Sequence, residues 1–237
     1  MSSPSEPSPE SGLPVGVPVD ATPARRPGPV TLAGRYGRVE RLAPSHAADL
    51  WEAVRGHDLL WTYMSAYGPF SDVKQFAEWV DSRIALDDPY SYAIVEGAGR
   101  AVGISTLMEI RPAARSVEVG HIVYSPALQR VPLGTEAQYL LMRYAFETLG
   151  NRRYEWKCNA LNAPSRAAAL RYGFQFEGIL RQHMIAKSRN RDTAYYSVLD
   201  SEWPRVRKAF EAWLAPDNFD GEGRQKQRLQ DIRNAIQ

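Results

Sequence analysis

Val117-Glu118-Val119-Gly120-His121-Ile122-Val123-Tyr124-Ser125-Pro126-Ala127-Leu128-Gln129-Arg130-Val131-Pro132-Leu133-Gly134-Thr135-Glu136-Ala137 reads as strand, turn and helix. Residues 117–124 are rich in β-branched side chains, and Ser125-Pro126 stops them. A helical period starts at Thr135, with apolar or aromatic residues at 137, 140, 141, 144, 145 and 149, and Gly150 closes it. A loop feeding a helix start offers amide donors and the positive end of the helix dipole, so it can hold a phosphate, with Arg130 beside it. The same pattern also makes an ordinary strand-to-helix turn, so other segments must decide.

Working outward, the chain has 237 residues, 44% hydrophobic and 24% charged, which suits one globular domain with tails. Net charge is only +2 with acids and bases interspersed, which argues against a nucleic-acid partner. No apolar run is long enough to span a membrane, and the N-terminus shows no secretory signal. The lone cysteine, Cys158, cannot close an internal disulfide, so a reducing cytoplasm is expected. Four scattered histidines without ligand spacing indicate no metal site.

Residues 1–29 are dominated by Pro, Ser, Gly and other small side chains and are expected to form a disordered arm. A strand near 37–42 and a helix opening at Ser45 follow, then an aromatic stretch over 57–71 that reads as a loop covering the core, then a helix to Leu86. Strands are expected at 90–95, 101–110 and 117–124, consecutive and antiparallel. Beyond the helix from Thr135, residues 153–158 should form a strand parallel to the one at 117. Asn162-Ala163-Pro164-Ser165 opens another helix, ending at Tyr172-Gly173-Phe174. Strands at 174–186 and 192–199 flank a basic loop, a helix covers 201–214, and 215–237 reads as a loosely held polar tail with helical tendency near 229–236. The order predicts an α+β domain over 30–214 with a mixed sheet.

Two motifs carry a resemblance. Gln129-Arg130-Val131-Pro132-Leu133-Gly134 at a helix head is similar to the Q/R-x-x-G-x-G/A loop of the GNAT acyltransferases, and Asn162-Ala163-Pro164-Ser165 with Gly173-Phe174 resembles their N-x-x-S … GF segment, nearest the Rim-type branch. The likeness covers roughly residues 36–214. It implies a mostly antiparallel sheet with a splayed parallel strand pair, and acetyl-CoA or another acyl-CoA as co-substrate, without a metal. The pyrophosphate would lie on Gln129, Arg130, Val131, Leu133, Gly134 and Thr135, the thioester carbonyl on backbone amides of Ile122, Val123 and Tyr124, and pantetheine near Asn162 and Ser165. Pro132 departs from the family glycine and removes one amide donor.

The resemblance also implies roles in catalysis. Glu118 matches the position that deprotonates the amine, and Ser165 the one that protonates the leaving thiolate; Tyr172 is a second candidate acid. His121 competes as base, but on an ideal strand it shares a face with Val117, Val119 and Val123, opposite Glu118, unless a bulge at Gly120 rotates one of them. The acceptor, a primary amine on a small molecule or peptide, should enter between residues 61–70 and the loop 187–192, where Arg189 and Arg191 suit a carboxylate or phosphate. A protein N-terminus is the alternative acceptor, a homodimer is compatible with the fold, and a non-catalytic binding module is the competing reading.

Overall fold

The computed structural model describes residues 5–236, so the first four residues of the expected arm and the last residue of the tail lie outside the described residues. Eight strands form one sheet: β3 (Thr31–Ala33), β4 (Gly37–Arg41), β5 (Tyr90–Glu96), β6 (Ala101–Arg111), β7 (Ser116–Tyr124), β8 (Arg153–Asn159), β9 (Gln175–Ala186) and β10 (Arg189–Leu199). Their order is β3-β4-β5-β6-β7-β8-β10-β9, and every neighbouring pair is antiparallel except β7 and β8. A further two-stranded piece, β1 (Ser5–Pro7) with β2 (Pro14–Gly16), stands apart.

Helices cover both faces. On one side α1 (Ala47–Val54) and α2 (Val73–Ile84) pack Leu50, Val54, Phe76 and Val80 against Ala93, Val95, Ile104 and Val123. On the other, α3 (Pro132–Arg143), α4 (Ala163–Tyr172) and α5 (Trp203–Leu214) bury Leu140, Ala169 and Phe210 against Val117, Val119, Tyr154, Trp156 and Tyr196. The helix heads follow sequence logic. Asp72 caps α2 by accepting from the Gln75 amide at 2.9 Å, and Asn162 caps α4 by accepting from the Ser165 amide at 3.1 Å. Ser45 makes no such cap; a short 3₁₀ turn precedes α1, and the His46 ring instead takes the Ala43 amide.

Parts of both tails are held against the domain, and the helical tendency expected near 229–236 appears as a helix over Leu229–Ala235. Residues 20–29 lie along the domain: the Ala24 amide donates to Pro112 O at 3.0 Å, the Arg25 amide to Leu149 O at 2.8 Å, and Tyr92 Oη to Gly28 O at 3.1 Å. A segment without large apolar groups can still be held where it satisfies backbone donors and acceptors of its neighbours. At the other end α6 (Leu229–Ala235) buries Leu229, and its Arg233 donates to the carbonyls of Arg171 and Leu170, the exposed end of α4. No described helix is long and apolar enough to cross a membrane, and among the described residues no group of His, Cys, Asp and Glu could hold a metal ion.

Candidate active site

β7 and β8 run paired only from Ser116 opposite Arg153 to Val119 opposite Trp156. Beyond that, β7 continues to Tyr124 beside β6, and β8 continues to Asn159 beside β10, so the two diverge. The backbone of residues 120–124 thus borders a gap in the sheet. At this point β7 also bulges: Ile104 of β6 pairs with Val123 and Thr106 with Gly120, which sets Ser105 alone against His121 and Ile122. His121 takes φ 47°, a left-handed backbone uncommon outside glycine.

The extra residue reverses the phase of the strand. Val117 and Val119 face α3–α5, but two residues after His121 it is Val123 that faces α1 and α2, while Ile122 and Tyr124 turn toward α3–α5. His121 therefore shares a face with Glu118. The rotation that a single bulge could supply occurs, at His121 and Ile122 rather than at Gly120.

Glu118 is 5% exposed, and its carboxylate accepts from Lys157 Nζ at 2.8 Å. Lys157 also reaches Glu155 at 3.3 Å and lies over the Tyr195 ring at 4.7 Å, while Arg153 and Arg111 grip Glu155 at 2.7 and 2.8 Å. Burial pushes the Glu118 carboxyl up to about 7; Lys157 opposes that rise, and Glu155 and Glu109 add to it. Such a value suits a base working near neutrality. His121 behaves oppositely: burial first, then the charges of Arg83 and Arg191, push it down to about 4, and its Nδ1 lies 2.5 Å from Tyr67 Oη. With burial holding the Tyr67 phenol well above its usual range, the neutral imidazole accepts from Tyr67.

Ser165 stands on the opposite face. Its Oγ accepts from Trp156 Nε1 at 3.1 Å, and near it burial raises the Cys158 thiol, an effect the Ser165 hydroxyl opposes. Tyr172 packs between α4 and α5, its ring 6.0 Å from Phe210 and its hydroxyl toward Thr135, and burial raises its phenol. It thus stands on the α3–α5 side of the sheet, the same side as Ser165.

The loop before α3 is tightly built. Pro132 is its first helical residue, where an amide would lack an intrahelical carbonyl anyway and a fixed φ fits, so the helix start is intact with one donor fewer. Arg130 takes φ 62° and Gln129 Nε2 donates to Tyr124 O at 2.9 Å. Gly134 is required by contact: a Cβ there would sit 2.8 Å from Leu128 O and 3.1 Å from the Tyr124 ring, whose hydroxyl donates to Gly134 O. Arg171 of α4 donates to Thr135 Oγ1 at 2.9 Å and sets a guanidinium beside the first turn of α3.

Sequence reading missed Lys157 and Arg171. The signal for Lys157 is present: β8 alternates Arg153, Glu155 and Lys157 with Tyr154, Trp156 and Cys158, marking one charged face. Arg171 follows Leu170 in an ordinary helix end, and nothing local sets it apart.

Residues 38–175 match the family model described as an acetyltransferase (GNAT) domain. YdaF of Bacillus subtilis (strain 168), a candidate ribosomal N-acetyltransferase, is 30% identical over 105 residues, 44% of this chain and 57% of that protein, so the match spans little more than half of that relative. Among solved structures, a GCN5-related N-acetyltransferase from Brucella melitensis superposes with a TM-score of 0.88 at 45% identity, covering 91% of this chain and 99% of that one. A GNAT-family protein from Chromobacterium violaceum ATCC 12472 gives 0.75 at 38%, covering 83% and 100%. With the family model matching more than half of its length and the splayed β7–β8 pair at its centre, the chain belongs to the GNAT acetyltransferase family.

Proposed function

We propose that this chain transfers an acetyl group from acetyl-CoA to a primary amine of a peptide or small molecule, directly between two bound substrates. The observation that carries the reading is the gap between β7 and β8, with Glu118 on one face of the sheet and Ser165 on the other. Coenzyme would lie on the α3 and α4 side. Amides of the first turn of α3, with Arg130 and Arg171, supply donors and positive charge for its phosphates, and Asn162 and Ser165 line the pantetheine arm. Of the backbone amides of Ile122, Val123 and Tyr124, those that point away from β6, at the edge that β8 has left, would receive the thioester oxygen.

The acceptor amine attacks the thioester carbonyl from the α1 and α2 face. Glu118 takes the amine proton, directly or through a water, the carbon–sulfur bond breaks, and Ser165 gives its proton to the departing thiolate. A peptide acceptor is favoured by the likeness to YdaF, a candidate ribosomal N-acetyltransferase. Calorimetry with coenzyme A and a thiol-release screen of amines test the reading. Micromolar coenzyme affinity, about −8 kcal/mol, with amine-dependent thiol release is expected; no binding at millimolar coenzyme would refute it.

A further inference from the structure

The acceptor face holds two groups of charges that differ in balance. Around Glu118, two buried carboxylates are matched by Lys157, Arg153 and Arg111. Around His121 the charge is positive only. Arg191 on β10 is tied through Ser65 to the loop whose Tyr67 meets His121, Arg83 stands at the end of α2, both charges hold the imidazole down, and neither makes an ion pair among the described residues. Arg191 Nη1 is held by Ser65 Oγ, while its Nε is buried with no acceptor. The carboxylate next to it in sequence, Asp192, is taken up by the Gln182 amide and Asn190. Lys187 in the same hairpin donates to Trp61 O and Gly68 O at 2.9 and 2.8 Å, and Arg189 is exposed. Of the basic residues in this hairpin, Arg191 is the one placed on the acceptor face with a donor left over.

A half-buried guanidinium without a counterion is costly, and its Nε with one Nη forms the edge that grips a planar carboxylate in two parallel bonds. We propose that Arg191, reinforced by Arg83, binds a carboxylate carried by the acceptor. This rests on the amine-transfer reading and deepens it to an acceptor class. Thr193 of β10 is level with Asn159 at the end of β8, and Arg191 lies two residues further, about 7 Å along the strand. That places the anion at the mouth of the gap, within reach of either the carboxylate beside the reacting amine or one a residue or two along an extended peptide.

The test uses acceptors in carboxylate and carboxamide pairs: amino acids against their amides, and short peptides with Asp walked along the first positions against the same peptides with Asn. The parent enzyme should prefer carboxylates by about 10- to 100-fold in kcat/KM. Arg191→Gln should reduce that ratio to near one while leaving the carboxamide rates alone, and Arg191→Lys should keep part of it. The position of the favoured Asp tells the two sources apart. A parent enzyme that uses both members of each pair equally would overturn the proposal. A second readout is independent of turnover: calorimetric binding of the N-acetylated products, as carboxylate and carboxamide, to the coenzyme A complex. A preference there that Arg191→Gln removes supports the proposal even if no amine is acetylated, in which case it is the transfer reading that fails; equal binding sinks the proposal. Should Arg191→Gln not fold, Arg83→Gln, expected to lower the same preference, takes its place.

Discussion

Replacing Lys157 by Met removes the one cation in direct contact with Glu118 while keeping a stem of similar length over Tyr195. At 2.8 Å the pair attracts by roughly 6 kcal/mol at an effective dielectric of about 20, an upper bound because water and neighbours relax. A lost counter-charge beside a carboxylate typically raises its pKa by about one to three units, or about 1.4–4 kcal/mol. The sign follows from the role. A base must be ionised, so activity falls as pH drops through the Glu118 value near 7, and raising that value moves the acidic limb upward. With a shift of about two units, the ionised fraction at pH 7 drops from about one half to about one hundredth, a roughly 50-fold loss that shrinks to about twofold near pH 9. Initial rates of thiol release from about pH 6 to 10 measure this, with Glu118→Gln run in parallel to subtract titration of the acceptor amine. Lys157→Arg should keep the parent profile. A Lys157→Met profile that overlays the parent, or moves to lower pH, would refute the assignment of Lys157 as the charge that keeps Glu118 ionised.

Glu118→Gln should lower turnover by about 100-fold and abolish the carboxylate limb with coenzyme affinity unchanged, whereas Ser165→Ala should lower turnover and leave that limb in place; pH–rate profiles with calorimetry separate them. Gly134→Ala should cost about 1–3 kcal/mol in thermal unfolding and weaken coenzyme A binding, because the methyl meets the Leu128 carbonyl and the Tyr124 ring; unchanged affinity would show that the loop does not contact coenzyme. Deleting residues 1–29 should cost about 1–3 kcal/mol through the lost bonds of Ala24, Arg25 and Gly28, whereas deleting 1–19 keeps those bonds and should be neutral in the same melt.

Much of the fold could be read because its signals are local. Alternation in β7, the Asn162 cap, Gly173 in the left-handed region and the strand-helix-strand order fix the sheet neighbours and the parallel pair. The tails could not be read this way. What holds residues 20–29 is backbone satisfied by carbonyls at Pro112 and Leu149, far off in sequence, and composition carries no record of such partners. Glu118 and Ser165 are named through family motifs, but the burial that raises the Glu118 carboxyl, and the lysine on the neighbouring strand that opposes it from 2.8 Å, come from the folded sheet.

The bulge shows why site assembly is harder to read than sheet order. Period-two alternation assigns His121 to the face of Val119, and every step of that inference is sound for a regular strand. One inserted residue against Ser105 breaks it, and the sequence marks the place only by Gly120, which accommodates Met108 Sδ so closely that a Cβ would stand 2.5 Å from it. Without the insertion, His121 and Tyr67 could not meet, and Val123 would turn with Val117 and Val119 toward α3–α5 instead of packing against α1 and α2. The ladder with β6 then resumes at Val123 opposite Ile104 and Tyr124 opposite Gly103. A single residue of register thus carries the imidazole of His121 from the face of Val119 to the face of Glu118, where it meets Tyr67.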